Sequence, residues 1–587
     1  MGFKDIHKLR LVRSNALTLS LFFLSCIGIL TYIGTLRYEN FYTTNWDFGI
    51  AEQLLWTGAH GRLLFETADF STSYTLSFLQ VHSTYIALLI AQVYSLFPTA
   101  FFLVLIQATI LSLSIFPLFL ISSSMNLDRR MSYAIIMIYM FSFTVMSAFF
   151  YDFHWELFIP LEYLSLFYLI QKRRYVIASI PFIAGVCTIE VFPMLTLGLF
   201  LYFAYSYYGW GFLKVKSMRK NRDWRVFLFY FIASLVAYFL IRYLQFYVIP
   251  GLVGIHGGIT TSISSTGLIP TRLSFNSLTT SVIYWIIFFA SFGFIPLLSK
   301  KCLFLLAPWL IGSIIINPVL SAGFGNQYPA VGVPLVIIGF AQGLSIIAKS
   351  DHAAIYSILM AFFTVIISLL TFALNGSLIF LNPAPPLGIR GSVTTIPLFL
   401  LTLALVKNPG LFNKFKKLSR YAKKISIPKT LIIMIISFLV FNLIIGPLNT
   451  NNFHDSVYPG YWISYTPNPE FQYASKLASE IPNSASVLAS DNLFPMVANN
   501  PNAYSLLWYP YNSRDMPNLP FNSSVLPDYI FIDSYQNFLP LDINSILANT
   551  SAYGLLGHIF YKGYPGQIYL YELNYRGDLQ FYNASQH

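Results

Sequence analysis

Residues 15–36 read NALTLSLFFLSCIGILTYIGTL, a stretch without a single charged side chain. A helix that crosses the hydrocarbon core of a bilayer needs about 20 mostly apolar residues. Basic residues precede this stretch, including Lys8, Arg10 and Arg13, but no small-x-small cleavage site follows it. The segment therefore predicts an uncleaved first transmembrane helix rather than a signal peptide.

Apolar stretches of this kind recur along the chain, which has 587 residues, 56% of them hydrophobic and only 10% charged. A soluble domain carries about 25% charged residues, so most of this apolar surface is expected to face lipid or other helices. We predict an all-α polytopic membrane protein with about 13 transmembrane helices. The predicted spans lie near 15–36, 100–121, 131–150, 156–171, 175–190, 191–209, 226–249, 276–298, 301–319, 330–348, 352–375, 393–407 and 430–447.

The basic residues indicate which side of the membrane each loop occupies. They lie in short runs between the apolar stretches, and 26 of the 35 fall on one side if the short apolar segment 82–97 does not cross. By the positive-inside rule that side is the cytoplasm. We therefore expect a multi-pass protein of the plasma membrane with a cytoplasmic N-terminus. The basic run from Lys407 to Lys429 is expected to contact anionic lipid headgroups rather than nucleic acid.

Two regions are predicted: a transmembrane domain at 1–447, with a large first outer loop at 37–80, and an extracytoplasmic soluble domain at 448–587. The second region shows a helical pattern at 469–480 and then short apolar runs, which indicate a small α/β domain. Strands are predicted at Ser486–Ser490 and Asp528–Asp533, and a hairpin around Tyr564-Pro565-Gly566 is predicted to lead into Gln567–Leu573. Four N-x-S/T sequons fall on the predicted outer side and are candidate glycosylation sites: Asn375, Asn522, Asn549 and Asn583.

Acidic residues are scarce, and several gather in the first outer loop and at predicted outer helix ends. Asp47 lies in the sequence Asn45-Trp46-Asp47-Phe48-Gly49, and Glu52 follows in a short segment with aromatic anchors, as in a helix that lies on the membrane surface. A carboxylate there could be a general base for an acceptor hydroxyl. The alternative is a solvated loop aspartate or a helix cap.

Three ionisable residues, Asp152, His154 and Glu156, alternate where one predicted helix leaves the membrane and the next enters it. Residues two apart share a face in an extended segment, so this group could bind a divalent metal or a phosphate-bearing ligand. The alternative is an interfacial turn with polar groups in water. The cofactor is otherwise unknown from the sequence.

Glu190 is the one charge between two apolar segments, and a carboxylate in such a place usually faces a cavity or a partner. Arg242, toward the outer end of its predicted helix, is a candidate partner. Either the two form a structural pair, or Arg242 holds an anionic lipid headgroup and Glu190 orients it. Arg62, His82 and Tyr328 are further candidates for substrate binding on the outer face.

These residues lie in segments that resemble one known family in chain order. Asn45–Trp56 resembles that family's DLGI-x-DQ-x-LW opening, and His60-Gly61-Arg62 resembles its HGR continuation. His82 stands where the family has DHFSP. Further matching segments are Asp152–Glu156 for DFHPE, Ile189–Val191 for KED, Ile481–Asn492 for LPPGASVAASDNL, and the later strand Pro527–Asp533.

The family is the set of predicted membrane proteins called domain of unknown function 2079, and its name states no activity. Its layout is similar to the GT-C superfamily of membrane glycosyltransferases, which take sugar from a polyprenyl-phosphate carrier. The resemblance implies that Asp47 is the catalytic base. Glu52 replaces the family's second aspartate, Trp155 replaces a proline, and Ile189 replaces a lysine, so Arg62 or Arg242 would have to supply the missing positive charge.

The leading hypothesis is a GT-C-like glycosyltransferase that moves a sugar from a polyprenyl-phosphate donor to an unidentified acceptor at the extracytoplasmic face. Membrane lipids are expected neighbours, and no nucleic-acid partner is expected. One alternative is a transporter or flippase of a lipid-linked or amphipathic substrate, which predicts a polar path through the membrane. Another is a non-catalytic cell-envelope assembly protein, in which the acidic and histidine residues would not converge.

Overall fold

The computed structural model describes residues 3–68, 75–214, 220–254, 275–315, 327–349, 436, 438–439, 442, 465–506, 525–534, 552–562 and 567–586. The predicted spans 352–375 and 393–407, and nearly all of 430–447, lie outside the described residues. The sequons at Asn375, Asn522 and Asn549 also lie outside them.

Helices make up most of the described chain up to residue 349. Because the apolar residues form long runs without a polar face, these helices are buried on several sides or face lipid. The α-helices are α1 (Phe3–Glu39), α2 (Ile50–Ala59), α3 (Ala87–Tyr94), α4 (Ala100–Leu113), α5 (Ile115–Ser124), α6 (Arg129–Met140), α7 (Phe143–Phe149), α8 (Ile159–Gln171), α9 (Tyr175–Thr188), α10 (Phe192–Tyr208), α11 (Arg222–Tyr243), α12 (Ile249–Leu252), α13 (Phe275–Ala290), α14 (Cys302–Ile315), α15 (Pro329–Ala348) and α16 (Phe471–Ser479).

Among the described residues, the helices that could cross a membrane are fewer than the sequence predicts. Four segments are long and apolar enough, and the pair α6 and α7, bent by 43°, makes a fifth if it is one span. The predicted count of about 13 is therefore not confirmed. The four segments are Ala16–Glu39, Ala100–Ser124, Arg222–Leu252 and Pro329–Ala348.

Several predicted spans are helices that end too early to cross the hydrocarbon core. Helix α9 has 14 residues, which corresponds to about 21 Å at 1.5 Å per residue, whereas the core is about 30 Å thick. It ends at Thr188, and a break before α10 leaves Glu190 outside regular helix. Helix α3 has eight residues, so the segment 82–97 is too short to cross as a helix.

Exposure of large apolar side chains differs between the candidate spans. In Ala16–Glu39 and Arg222–Leu252 only 28% of the apolar window is buried, whereas in Pro329–Ala348 the fraction is 83%. Leu21 and Phe239 are among the exposed side chains. Apolar surface of this extent fits contact with lipid, while α15 is a central helix that packs against α8 and α14.

The C-terminal part of the described chain is a six-stranded mixed sheet in the order β2-β1-β3-β5-β4-β6. Strand β1 pairs in parallel with β2 on one side and with β3 on the other, and β5 pairs antiparallel with β3 and β4. The three predicted strand segments are present in this sheet, whereas the predicted hairpin turn at 564–566 lies outside the described residues. The strands are β1 (Val487–Ser490), β2 (Ala503–Leu506), β3 (Tyr529–Asp533), β4 (Tyr553–Phe560), β5 (Ile568–Leu573) and β6 (Gln580–Asn583).

Apolar side chains that alternate between the two faces of the central strands form a core on each face of the sheet. Val487 and Phe531 lie in one buried cluster with Leu477 of α16, and Leu488 and Ile530 lie in a second cluster on the opposite face. Because successive side chains of a strand point to opposite faces, a fully buried strand such as β1 has neighbours covering both faces. Helix α16 covers the first face.

The sheet region contacts the first loop through buried hydrogen bonds. The Asn45 amide donates to Asp491 Oδ1 at 2.9 Å, and Gln53 Nε2 donates to the carbonyl oxygens of Asn500 and Ala503 at 2.9 and 3.2 Å. Thr67 Oγ1 donates to the same Ala503 oxygen at 2.8 Å. Since Asn45 and Gln53 are fully buried, the first loop is held between the helices and the sheet.

Candidate functional site

A pocket with a cavity volume of about 110 Å³ lies where the first loop meets the ends of several helices. Its ionisable lining residues are Asp47, His82, His154 and Glu156, which come from three separate parts of the sequence. Its other lining residues are Trp46, Ile50, Ala51, Leu54, Phe78, Val81, Phe153, Trp155, Ile189 and Gln327. Four polar side chains that converge in a largely apolar pocket form a typical ligand site.

Asp47 has an unusual backbone conformation for a residue with a side chain, with φ 74° and ψ −69°. These angles correspond to the γ-turn that is rare and strained in L-residues. The turn lies in the segment Asn45–Gly49, where Trp46 and Asp47 have non-helical backbone angles, and this segment leads directly into α2. Strained backbone clusters at active sites and ligand clamps, and here it sets the direction of the carboxylate, which is 26% exposed.

His154 lies next to Asp47 and is almost fully buried. Its Nε2 is 3.4 Å from Asp47 Oδ2, and its Nδ1 is 3.7 Å from Glu156 Oε2. The Nε2 atom makes no hydrogen bond, so the Asp47 contact is electrostatic rather than an aligned hydrogen bond. The ring stacks on Tyr151 with centroids 5.0 Å apart. A ligand atom could therefore take the unused donor or acceptor at Nε2.

Gln107 of α4 fixes the loop that carries His154. Its side-chain oxygen accepts the His154 amide at 2.9 Å, and its Nε2 donates to the carbonyl oxygens of Phe149 and Asp152 at 3.3 and 3.1 Å. Buried backbone groups outside regular structure need such partners. The side-chain amide of Gln107 thus supplies hydrogen bonds to backbone groups that have no helical partner after α7 ends.

The carboxylates around His154 control its charge. Burial lowers the pKa of His154, but the negative charges of Asp47, Glu156 and Asp152 outweigh burial, so the pKa lies above its ordinary value. A raised pKa increases the fraction of imidazolium near neutral pH. The pocket therefore places a partly exposed carboxylate beside a buried imidazole whose pKa is raised.

The second histidine of the pocket, His82, is held by Glu190. The His82 Nδ1 atom is 3.2 Å from Glu190 Oε1, and the Ser83 amide donates to Glu190 Oε2 at 3.1 Å. His82 lines the pocket, and its Nδ1 faces the Glu190 carboxylate. Glu190 itself does not line the pocket, but it contacts His82, which does.

Arg242 reaches the same group from α11. Its Nη1 atom is 3.9 Å from Glu190 Oε1 and donates to Gln245 Oε1 at 2.8 Å. Gln245 in turn donates to the carbonyl oxygens of Gln80 and Val81 and accepts from Ser83 Oγ. The sequence predicted the pair of Glu190 and Arg242, and the structure adds His82 as the nearer cation. The Nε of Arg242 is buried without a hydrogen-bond partner.

Tyr328 lies within electrostatic range of the pocket. Burial raises the pKa of its phenol, and the charges of Glu156, Asp47 and Glu190 raise it further. The neighbouring Gln327 lines the pocket directly. Tyr328 itself lies just before α15 and does not line the pocket, so its role in substrate binding stays a prediction.

Asp152 differs from the expectation that it shares a face with His154 and Glu156. The chain changes from extended backbone at His154 to a 3-10 turn at Trp155–Phe158, so the alternation does not continue. Asp152 instead forms a buried ion pair with Arg37, whose Nη2 lies 3.2 Å from Asp152 Oδ1. Among the described residues no three His, Cys, Asp or Glu side chains form a metal-binding group.

Glu52 and Arg62 lie away from the pocket. Glu52 is on the other face of α2, where Tyr94 donates to its carboxylate at 3.4 Å, and burial raises its pKa well above the usual range. Arg62 is exposed and its guanidinium lies over the Phe65 ring, 5.0 Å from the centroid. Neither side chain lines the cavity that Asp47 lines.

Asn583 is the one predicted glycosylation site within the described residues. It ends strand β6 with its side chain half-buried, and its Oδ1 accepts the Ser585 amide at 3.1 Å. A glycan would be attached to the nitrogen of this same side-chain amide. Glycosylation at this position stays a prediction.

Several residues of the site were not singled out from the sequence. Gln107 and Gln245 are uncharged amides within apolar stretches, and Arg37 is a cation at the predicted outer end of a span. Polar groups in such places are expensive and usually serve a purpose, which is the signal that could have identified them. Asp491 lies in the quoted Ser490-Asp491-Asn492 segment, but only the fold brings it to Asn45.

Comparison with known proteins identifies one family. The family model described as "Predicted membrane protein (DUF2079)" matches residues 37–408 and 400–551. No curated protein and no solved structure matches the chain. The matched ranges include every residue that lines the pocket and the strands β1, β2 and β3.

Proposed function

Since the chain belongs to the DUF2079 family of predicted membrane proteins, whose description gives no activity, we propose that it is a GT-C-like glycosyltransferase. It would move a sugar from a polyprenyl-phosphate donor to an acceptor hydroxyl at the extracytoplasmic face. The observation that carries the proposal is the pocket itself, where Asp47, His82 and His154 line one cavity of about 110 Å³.

The location of the pocket supports an outward-facing site. The first loop follows α1, and the basic loops Arg129-Arg130 and Lys172-Arg173-Arg174 lie at the other ends of their helices. Under the positive-inside rule those loops are cytoplasmic. The N-terminus would then be in the cytoplasm of a multi-pass plasma-membrane protein, and the sheet region, which contacts the first loop, would be on the far side.

Asp47 is suited to the role of general base. Its carboxylate is the most exposed acid of the pocket, at 26% of the side chain, and its direction is fixed by the strained turn. In the proposed step Asp47 takes the proton of the acceptor hydroxyl, and the acceptor oxygen attacks the anomeric carbon of the sugar. The bond from that carbon to the phosphate oxygen breaks, its electron pair stays on the phosphate, and the proton passes from Asp47 to water.

The basic side chains at and near the pocket match the charge that develops on the departing phosphate. His82 lines the pocket, and Arg242, which lies near Glu190, has a buried Nε without a hydrogen-bond partner. Charge stabilisation by fixed donors is usually the largest contribution to such catalysis. Glu190 fixes both cations and is a positioning residue, because it touches His82 and Arg242 from behind the pocket.

The test is turnover of polyprenyl-phosphate sugars by the full-length protein in lipid vesicles. Asp47→Asn keeps the size of the side chain and removes the base, so turnover is expected to fall about 10²- to 10⁴-fold. Asp578→Asn, at an exposed acid of the sheet region, is the matched control and retains wild-type turnover. Equal turnover for wild type and Asp47→Asn would exclude Asp47 as the base.

A further inference from the structure

Two carboxylates bind the first loop just before Asp47, and they come from different regions of the protein. Asp152, which follows α7, accepts the Thr44 amide through Oδ2 at 3.4 Å. Asp491, the residue immediately after β1, accepts the next amide, that of Asn45, through Oδ1 at 2.9 Å. Hydrogen bonds from a backbone amide to a carboxylate are charge-assisted and stronger than neutral ones. The sheet region therefore holds the chain close to the proposed base.

The backbone that follows is strained and needs contacts from outside the segment. Asp47 has φ 74° and ψ −69°, and such conformations persist only where the surroundings enforce them. Asn45 adds to the cost, because its side chain is fully buried and neither of its polar atoms makes a hydrogen bond among the described residues. A buried polar atom without a partner destabilises the fold. The hydrogen bond from the Asn45 amide to Asp491 opposes both costs.

Asp491 is itself held firmly by the sheet region. It is 4% exposed and lies between β1 and the 3-10 turn Phe494–Val497. Strand β1 is paired with a neighbour on each side, and Phe494 packs closely against Gly49 of the first loop. Side chains supported by regular elements hold their positions more precisely than side chains on loops. The end of β1 is therefore a rigid support for the Asn45 amide.

Asp47 and Asp491 also interact through their charges. Burial raises the pKa of Asp491 to about 7, the hydrogen bond from the Asn45 amide lowers it, and the charge of Asp47 raises it. This agrees with the geometry, in which Asp491 binds the chain two residues before Asp47. Measurements at pH 8 keep most of Asp491 ionised.

We propose that Asp491 is a positioning residue of the Asp47 site, because its hydrogen bond to the Asn45 amide holds the turn that aims the Asp47 carboxylate into the pocket. The inference rests on the proposed role of Asp47 as the base. Asp491 does not line the pocket, so it acts on the substrate only through the turn. The sheet region is then a required part of the site rather than a separate outer domain.

The first measurement is turnover of polyprenyl-phosphate sugars by the full-length protein in lipid vesicles at pH 8. A displacement of about 1 Å in a catalytic group lowers the rate about 100-fold. Asp491→Ala removes the acceptor, so kcat is expected to fall about 10- to 100-fold, whereas KM stays close to the wild-type value because ground-state binding is unchanged. Asp491→Asn keeps a side-chain oxygen that can accept the Asn45 amide and is expected to retain most of kcat.

Asp528→Ala is the matched control. Asp528 Oδ2 accepts the Ser486 amide at 2.8 Å, so this variant also removes a carboxylate that binds a backbone amide of the sheet region. Asp528 has no contact with the first loop among the hydrogen bonds of the described residues. Asp528→Ala is therefore expected to keep the wild-type kcat even if its Tm falls.

Hydrogen exchange resolved to single residues tests the position of the turn without any need for activity. The Gly49 amide donates to the Thr44 carbonyl oxygen at 3.0 Å and so closes the turn around Asp47. Because Asp491 takes no part in this bond, exchange at Gly49 reports on the whole turn. Asp491→Ala is expected to exchange the Gly49 amide at least about tenfold faster than wild type, whereas Asp491→Asn and Asp528→Ala exchange it at the wild-type rate.

The two measurements separate failure of this inference from failure of the proposed function. A wild type without turnover, together with faster Gly49 exchange in Asp491→Ala, would contradict glycosyl transfer but support the hold of Asp491 on the turn. Gly49 exchange in Asp491→Ala at the wild-type rate would overturn the inference. Full kcat in Asp491→Ala, or an equal loss of kcat in Asp491→Asn, would overturn it as well.

A second variant covers the case in which Asp491→Ala does not fold, as judged by its Tm in detergent. Asp491→Ser keeps a polar side chain but ends short of the Asn45 amide, so the same loss of kcat and the same faster Gly49 exchange are expected. Wild-type kcat and wild-type Gly49 exchange in Asp491→Ser would then overturn the inference.

Discussion

Asp47 combines a strained backbone with a carboxylate that faces a pocket, with φ 74° and ψ −69°. Residues held in such sparsely populated regions cost of order 1–3 kcal/mol each and persist only where their surroundings enforce them. At this position the enforcing contacts are the Thr44 carbonyl, which accepts the Gly49 amide at 3.0 Å, and Asp491, which accepts the Asn45 amide.

Replacement of Asp47 by glycine is expected to stabilise the protein relative to replacement by alanine. Glycine adopts positive φ without a steric penalty, so Asp47→Gly should be more stable than Asp47→Ala by about 1 kcal/mol. Both variants lack the carboxylate, so the difference in stability between them reports on backbone strain alone. The measurement is Tm in detergent, and equal Tm values would show that the turn is not strained.

His154 is expected to make stability depend on pH. Because the folded pKa lies above the ordinary value of 6.5, protonated His154 contributes stability below pH 6.5 that is lost as the pH rises through the folded pKa. The loss per pH unit is at most about 1.4 kcal/mol for one proton.

The measurement is Tm from pH 5.5 upward for wild type and His154→Gln. Wild type should lose stability more steeply than His154→Gln as the pH rises above 6.5. His60→Gln is the control, because His60 is exposed and stacks on Trp56 with ring centroids 3.9 Å apart. Parallel profiles for wild type and His154→Gln would contradict the role of the neighbouring carboxylates.

Single residues of the pocket could be selected from the sequence by their scarcity, since Asp47, His82, His154 and Glu156 are the ionisable groups of otherwise apolar segments. Their partners could not be selected in this way. Asp152 has the same sequence signal as His154, yet it pairs with Arg37, 115 residues away. The packing of α1 against α4 brings Arg37 to Asp152. This packing, which is not visible in the sequence, decides that Asp152 faces Arg37 while His154 faces the pocket.

At the scale of elements, the contact between the first loop and the sheet region depends on one glycine. A Cβ atom at Gly49 would lie 2.6 Å from the Phe494 ring, which is fully buried. Gly49 has φ −64°, a conformation open to any residue, so close approach rather than backbone freedom requires glycine.

Gly49→Ala is therefore expected to destabilise the protein by about 1–3 kcal/mol through overpacking. Adding Phe494→Leu should recover part of the loss, since adjacent residues couple in a double-mutant cycle. Gly28→Ala is the control, because a Cβ there meets nothing within 4 Å. The measurement is Tm of the four variants, and full additivity of Gly49→Ala and Phe494→Leu would disprove the contact.

Helix boundaries were the weaker part of the sequence prediction, and the reason is physical. Hydropathy detects apolar stretches but not where a helix ends inside one, and α9 ends at Thr188 because the next residues turn to place Glu190 beside His82. Short strands of the sheet were found more reliably, since turn residues bound each of them. Strand order required the structure, because pairing of β1 with both β2 and β3 is not local.

For the whole molecule, the sequence predicted helices in the membrane followed by a sheet, and the structure has both. Among the described residues four or five segments could cross the membrane rather than about 13. The sequence also indicated that the acids and histidines gather at one end of the helices. It could not show that the sheet region closes over the first loop, because the contacts of Asn45 and Gln53 lie more than 400 residues away.

The central claim is that Asp47 belongs to an outward-facing pocket that takes a polyprenyl-phosphate ligand. Trp46 lines this pocket and is half-buried, so a cysteine there reports on it directly. The background replaces Cys26, Cys187 and Cys302 by alanine, which leaves Trp46→Cys as the one thiol.

The most direct measurement is the labelling of Trp46→Cys by a membrane-impermeant maleimide in intact cells, with and without added polyprenyl phosphate. Labelling from outside, slowed several-fold by polyprenyl phosphate but not by an uncharged polyprenol, is the result that our account predicts. Labelling only after the membrane is permeabilised would contradict the outward-facing pocket. Equal rates with and without polyprenyl phosphate would contradict its ligand.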